Sequence, residues 1–144
     1  MLIDKWIESR IKVYAFVGPS GTGKSYRAQM VANENGIKYI IDDGLLIKDN
    51  EVIAGVSAKK APTKIETVKG ALFLNPEKAE EIKKAFRKYR PESLLILGTS
   101  DNMIAKIREN LELPELTKTI YITDVATEQE MEEAKSFIKV RLQL

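Results

Sequence analysis

Gly18-Pro19-Ser20-Gly21-Thr22-Gly23-Lys24-Ser25 follows the pattern of a glycine, four residues, then Gly-Lys-Ser. Glycines at this spacing let a loop wrap closely enough for backbone N–H groups to converge on an anion, and a helix beginning at Lys24 adds its partial positive charge. A lysine at that helix start reaches the β and γ phosphates of a nucleotide. The Ser25 hydroxyl suits a magnesium ion bridging them. The expected phosphate-contacting stretch is therefore Gly18 to Ser25 together with the next helical residue, Tyr26.

Such a site also needs an acid, to hold magnesium through water or to position a nucleophile, at the end of a neighbouring buried strand. Ile40-Ile41-Asp42-Asp43 provides an apolar run ending in two carboxylates, directly after the helix that the glycine-rich loop would start. In an open α/β sheet the carboxyl ends of the strands face the ligand crevice. Asp42, the first acid beyond the buried run, is expected to act in catalysis and at the metal, with Asp43 as the alternative and second metal candidate. Asp43 before Gly44 also suits a plain turn. Asp101 is the next candidate.

These residues must be held by elements that the chain itself signals. Val13 to Val17 is an apolar, β-branched and aromatic run expected as a strand buried on both faces, and it stops at Gly18. A helix is expected from Lys24 to about Glu34, ended by Asn35-Gly36, and then a strand at 38–41. Residues 45–47 and 52–54 suggest a hairpin around Lys48-Asp49-Asn50. The stretch 57–70, with Lys59, Lys60, Lys64 and Lys69 around Pro62 and Gly70, is expected as loop. Asn75-Pro76-Glu77 begins a helix to about Lys88, ended by Pro91. A strand at 94–97, a helix at 102–111, a strand at 119–123 and a last helix from the Thr127–Glu130 capping-box spacing complete the order. Leu2, Ile3, Trp6 and Ile7 have the spacing of a short helix over 1–10. Strands alternating with helices predict an α/β fold of three layers, a mostly parallel sheet flanked by helices.

The eight-residue motif and its strand-loop-helix setting resemble the P-loop NTPases. That resemblance implies ATP as ligand or substrate, Mg2+ as cofactor, and hydrolysis or phosphoryl transfer as the reaction. The acids after the second strand resemble those of small P-loop kinases such as the shikimate kinases, and HPr kinase has a paired acid at a comparable place. Those enzymes use arginines in substrate sites and lids, whereas 57–70 holds lysines only. Gly98-Thr99-Ser100 resembles the sensor position of AAA-type ATPases, although no acid-rich strand lies between the second strand and Leu94. The chain lacks a Ser-Gly-Gly signature, against an ABC ATPase, and an Asn-Lys-x-Asp motif, so ATP is favoured over GTP. A regulatory nucleotide-binding module with little turnover is the alternative to an enzyme.

Composition narrows the chemistry further. With no Cys and no His among 144 residues, disulfides, structural zinc, a thiol nucleophile and a Ser-His-Asp triad are all excluded. A net charge of +2 gives no general field for a nucleic-acid backbone. No apolar run approaches the roughly 18 residues of a membrane span, and the first residues lack a signal-peptide core, so a cytoplasmic protein is expected. The length suits one nucleotide-binding domain over 1–144. The last helix meets no stop signal, so a longer natural chain with a downstream domain or protein partner is expected.

Overall fold

The computed structural model describes residues 10–143, with side chains as far as residue 136. The helix expected over 1–10, including Trp6, lies outside the described residues except for Arg10. Strand β1 (Lys12–Val17) is followed by helix α1 (Lys24–Glu34) and strands β2 (Tyr39–Asp42), β3 (Leu45–Lys48) and β4 (Glu51–Gly55). Helix α2 (Lys64–Ala71), helix α3 (Pro76–Tyr89), strand β5 (Ser93–Gly98) and helix α4 (Asp101–Asn110) come next. Strand β6 (Leu116–Tyr121), the short helix α5 (Ile122–Val125) and helix α6 (Glu128–Gln143) complete the chain.

The six strands form one sheet in the order β4-β3-β2-β5-β1-β6. The pairs β2–β5, β5–β1 and β1–β6 are parallel, while β2–β3 and β3–β4 are antiparallel. The sheet is mixed, which corrects the expectation of a mostly parallel one. The cause is local. Asp43 and Gly44 have φ of 54° and 78°, and Asp49 and Asn50 have φ of 51° and 65°, so each pair makes a two-residue turn with both centres left-handed. Such turns match the twist of paired strands and fold the chain straight back. The expected hairpin at 45–54 is present, and a second one joins β2 to β3.

Alternation along the strands divides the core between two sheet faces. Val13, Ala15, Ile41, Leu94 and Ile96 pack with Ile82, Phe86, Ile104 and Ile107 of α3 and α4. Phe16, Ile40, Leu95 and Leu97 pack with Ala28, Val31 and Ala32 of α1 and with Ile122 of α5. Period two in the strands and helices against each face account for this arrangement.

Two other boundaries move. The strand expected at 119–123 is β6, ending at Tyr121, where the Tyr121 N–H donates to Asp124 Oδ2 at 2.8 Å and opens α5. The stretch expected as loop at 57–70 contains a 3₁₀ turn at Ala58–Lys60 and then α2. Its cap is legible in retrospect: Thr63 and Glu66 have capping-box spacing, and Thr63 Oγ1 accepts from the Glu66 N–H at 3.1 Å. Pro62 and Gly70 masked that signal.

Because α2 buries no residue fully, its cap should carry an unusual share of its stability. Thr63→Ala is expected to cost about 1 kcal/mol, measured by denaturant midpoint. Hydrogen exchange should place the added opening in 63–72 and leave β1 and β5 protected.

Candidate functional site

The parallel strands β1, β2 and β5 bring their carboxyl ends to one edge of the sheet, with Val17 opposite Gly98 and Ile41 opposite Ile96. The glycine-rich loop leaves β1 at that edge. The Gly18 N–H donates to the Gly98 carbonyl at 3.1 Å. A Cβ on Gly18 would come within 2.5 Å of Ile122 Cγ2, so close packing against α5 requires glycine there. Thr22, only 3% exposed, turns inward and donates its hydroxyl to the Pro19 carbonyl at 2.6 Å.

Gly23 caps α1 with φ of 92°, a left-handed conformation that favours glycine, and no side chain caps the helix. Helices α2, α3 and α4, by contrast, are capped by Thr63, Asn75 and Ser100. The first intrahelical bond of α1 runs from the Arg27 N–H to Gly23 O at 3.0 Å. The N–H groups of Lys24, Ser25 and Tyr26 precede it and have no hydrogen-bond partner among the described residues. Lys24 Nζ donates to the Pro19 carbonyl at 2.9 Å. Burial lowers the Lys24 pKa from the ordinary 10.5; Asp42 opposes that shift and Lys59 adds to it. The Tyr26 ring is 89% exposed at the mouth of the site.

The two acids are separated by the strand's alternation. Ile40 lies on the α1 face and Ile41 on the other, so Asp42 returns to the α1 side. There the Ser25 hydroxyl donates to Asp42 Oδ2 at 2.7 Å, across 17 residues of sequence. Asp43 enters the turn instead. Its carboxylate accepts from the Ser57 hydroxyl and from the Lys59 N–H at 3.2 Å, and its carbonyl accepts from the Ala58 N–H at 2.9 Å. Asp43 thus ties β2 to the segment that carries Lys59. Asp101 is engaged elsewhere, accepting from the Tyr121 hydroxyl at 3.1 Å, which raises the Tyr121 pKa.

A crevice of about 680 Å³ opens from the loop along this edge. Ser20, Gly21, Gly23, Lys24, Ser25, Tyr26, Asp42 and Asp43 all border it, and so does Lys59. Lys60, Lys64 and Lys69 do not. Its far walls are Val68 within α2 and Leu72 just past its end, with Leu97, Met103 and Lys106, which sequence reasoning missed; the overlooked Thr63 cap was the signal for the first two. No arginine of the described residues borders it: Arg27 pairs with Glu130 at 2.5 Å, Arg87 with Glu80 at 2.5 Å, and Arg108 Nε donates to Pro114 O at 2.8 Å.

Among the described residues no group of three or more Asp and Glu side chains converges to hold a metal by itself. Magnesium needs no such cage; it takes one or two carboxylates, a hydroxyl and ligand phosphates. The Ser25–Asp42 pair fits that donor set. No described helix is long and apolar enough to cross a membrane. A scan against protein-family models and searches of the curated proteins and the solved structures return no match to this chain.

The two acids differ in what they hold together. Asp43→Asn weakens a charge-assisted clasp and is expected to cost about 1–2 kcal/mol, whereas Asp42→Asn, losing one exposed contact, should cost about 0.5 kcal/mol or less. Chemical denaturation of both variants checks the order. Equal costs would remove the distinction.

Proposed function

We propose that this chain binds Mg-ATP in a P-loop-type site and acts in phosphoryl transfer or ATP hydrolysis. The observation that carries the reading is the contact of the Ser25 hydroxyl with Asp42 beside an uncapped helix start. The motif supplies donors for phosphate oxygens; the acid lies next to the Ser25 hydroxyl, which suits a bridging cation. In this reading the β1-loop-α1 unit with helices on both sheet faces is a P-loop-type three-layer fold.

The N–H groups of Lys24, Ser25 and Tyr26 and the loop amides from Gly18 to Gly23 face the β and γ phosphates. Lys24 leaves the Pro19 carbonyl for a phosphate oxygen and stabilises charge developing on the transferred group. Ser25 and Asp42 would hold magnesium, while Asp43, engaged by Ser57 and Lys59, would fix the turn beside it. Bound there, the cation neutralises phosphate charge and orients the γ-phosphoryl group. Asp42 also stands where it can orient a nucleophile. ATP is preferred to GTP because the chain has no guanine-reading motif.

Calorimetric titration of ATP, ADP and GTP with and without magnesium, followed by a phosphate-release assay, tests the reading. Lys24→Ala is expected to weaken ATP binding at least about tenfold, the loss of one charged hydrogen bond, while circular dichroism stays unchanged. Unchanged affinity in the folded variant would sink the proposal.

A pH dependence follows from Lys24. Phosphate favours the protonated amine, so binding raises a pKa that burial has lowered from 10.5. Affinity should therefore fall as pH rises through the free protein's lowered value, before an ordinary lysine would titrate. Binding in that window should take up protons, at most one per site. Calorimetry in two buffers of different ionisation enthalpy reads that uptake, and Lys24→Ala should abolish it.

A further inference from the structure

The crevice extends well past the residues that a triphosphate would touch. Beyond Asp42, Val68 and Leu72 stand four residues apart, and Leu97 and Met103 close the space from β5 and α4. Val68 is 49% exposed, although it borders the crevice rather than open surface alone. Lys59 and Lys106, both exposed, stand on the same crevice and add two cations to an apolar lining. The Asp43 clasp fixes Lys59 there through its backbone N–H, close enough to act on Lys24.

Building on the nucleotide reading above, we infer that this half of the crevice is an acceptor subsite for a small molecule carrying a hydroxyl, an apolar body and one anionic group. Direction along the loop supports this. Ser25 and Asp42 face the metal-bearing β and γ end of the nucleotide, so the space beyond Asp42 lies off the γ-phosphoryl group and not beside the nucleoside. An apolar body removes Val68, Leu72 and Met103 from water. The anion meets Lys59 and Lys106.

In the transfer, the acceptor oxygen bonds to the γ-phosphorus as the bond from that phosphorus to the β,γ-bridging oxygen breaks. ADP leaves with the electron pair, and the hydroxyl proton passes to the Asp42 carboxylate and on to water.

Methyl NMR of the full chain with magnesium and β,γ-imido-ATP provides the test, using 4-hydroxyphenylacetate and its neutral counterpart 4-hydroxyphenethyl alcohol as probes. The acid is expected to shift the methyls of Val68, Leu72 and Met103 with nucleotide bound, and to bind about tenfold more tightly than the alcohol. The double variant Lys59→Ala, Lys106→Ala should reduce that preference to about twofold or less. Both lysines are exposed, so the fold should survive. If nucleotide binds and neither probe moves those methyls, the subsite is refuted while the nucleotide reading stands. Mutual displacement of acid and nucleotide would assign the crevice to the nucleoside and refute the subsite as well. If nucleotide fails to bind, the phosphoryl donor is lost and the acceptor role falls with it, whatever the probes do.

Discussion

Three backbone N–H groups at the start of α1 have no partner within the helix, and among the described residues no side chain supplies one. At α2, α3 and α4 the same demand is met by a threonine, an asparagine or a serine at the cap. Gly23 at this cap brings a left-handed turn but no oxygen acceptor. Water can satisfy exposed donors, so the arrangement is tolerated, but an anion satisfies them better because the helix dipole and Lys24 act in the same direction. The other features of the edge follow from keeping that start open and fixed. Gly18 is pressed against Ile122, Thr22 is folded inward, and Arg27, one turn along, ties α1 to α6 through Glu130.

The placement of Asp42 beside Ser25 depends on sheet geometry rather than on the motif. Two adjacent aspartates are chemically equivalent until a strand's alternation assigns them. Ile40 and Asp42 share the α1 face, and the left-handed turn at Asp43-Gly44 directs the next carboxylate to Ser57 and Lys59. A one-residue slip of β2 would exchange these roles, turn Ile40 to the opposite core and draw Lys38 or Asp42 into a buried position. The hydrophobic pattern of Tyr39-Ile40-Ile41, buried at all three positions, guards against it.

The loop, α1, the buried strands β1, β2 and β5, and the first acid were legible in the sequence because each rests on local signals: glycine spacing, apolar runs and cap residues. What escaped was set by non-local or conflicting signals. Helix α2 was hidden by Pro62 and Gly70, residues that usually interrupt helices, while the Thr63–Glu66 cap lay in plain view. The mixed sheet turned on Asp43-Gly44 folding β3 back on β2, because an Asp-Gly pair suits a plain turn as well as a hairpin and only the strand pairing decides between them. Of the crevice walls, Gly98-Thr99-Ser100 could be read from the end of β5, but the apolar side could not, since Val68, Leu97 and Met103 come together only when α2 and α4 meet the same sheet edge. Asp101 looked available in sequence, and only the fold brings Tyr121 to it.

The loop is built so that Lys24 can change partners at little cost. Its ammonium donates to the Pro19 carbonyl, a neutral acceptor, and a charged phosphate oxygen is the stronger one. Moving the lysine away would ordinarily leave that carbonyl unpaired. Here Thr22 donates to the same oxygen from 2.6 Å, so it stays satisfied when Lys24 departs. Burial of the ammonium, which lowers its pKa, makes its charge costly to keep without an anion nearby. A lysine held in a partly desolvated place by an exchangeable carbonyl, in a loop whose shape a second donor maintains, is prepared to receive a phosphate without rebuilding the backbone around it.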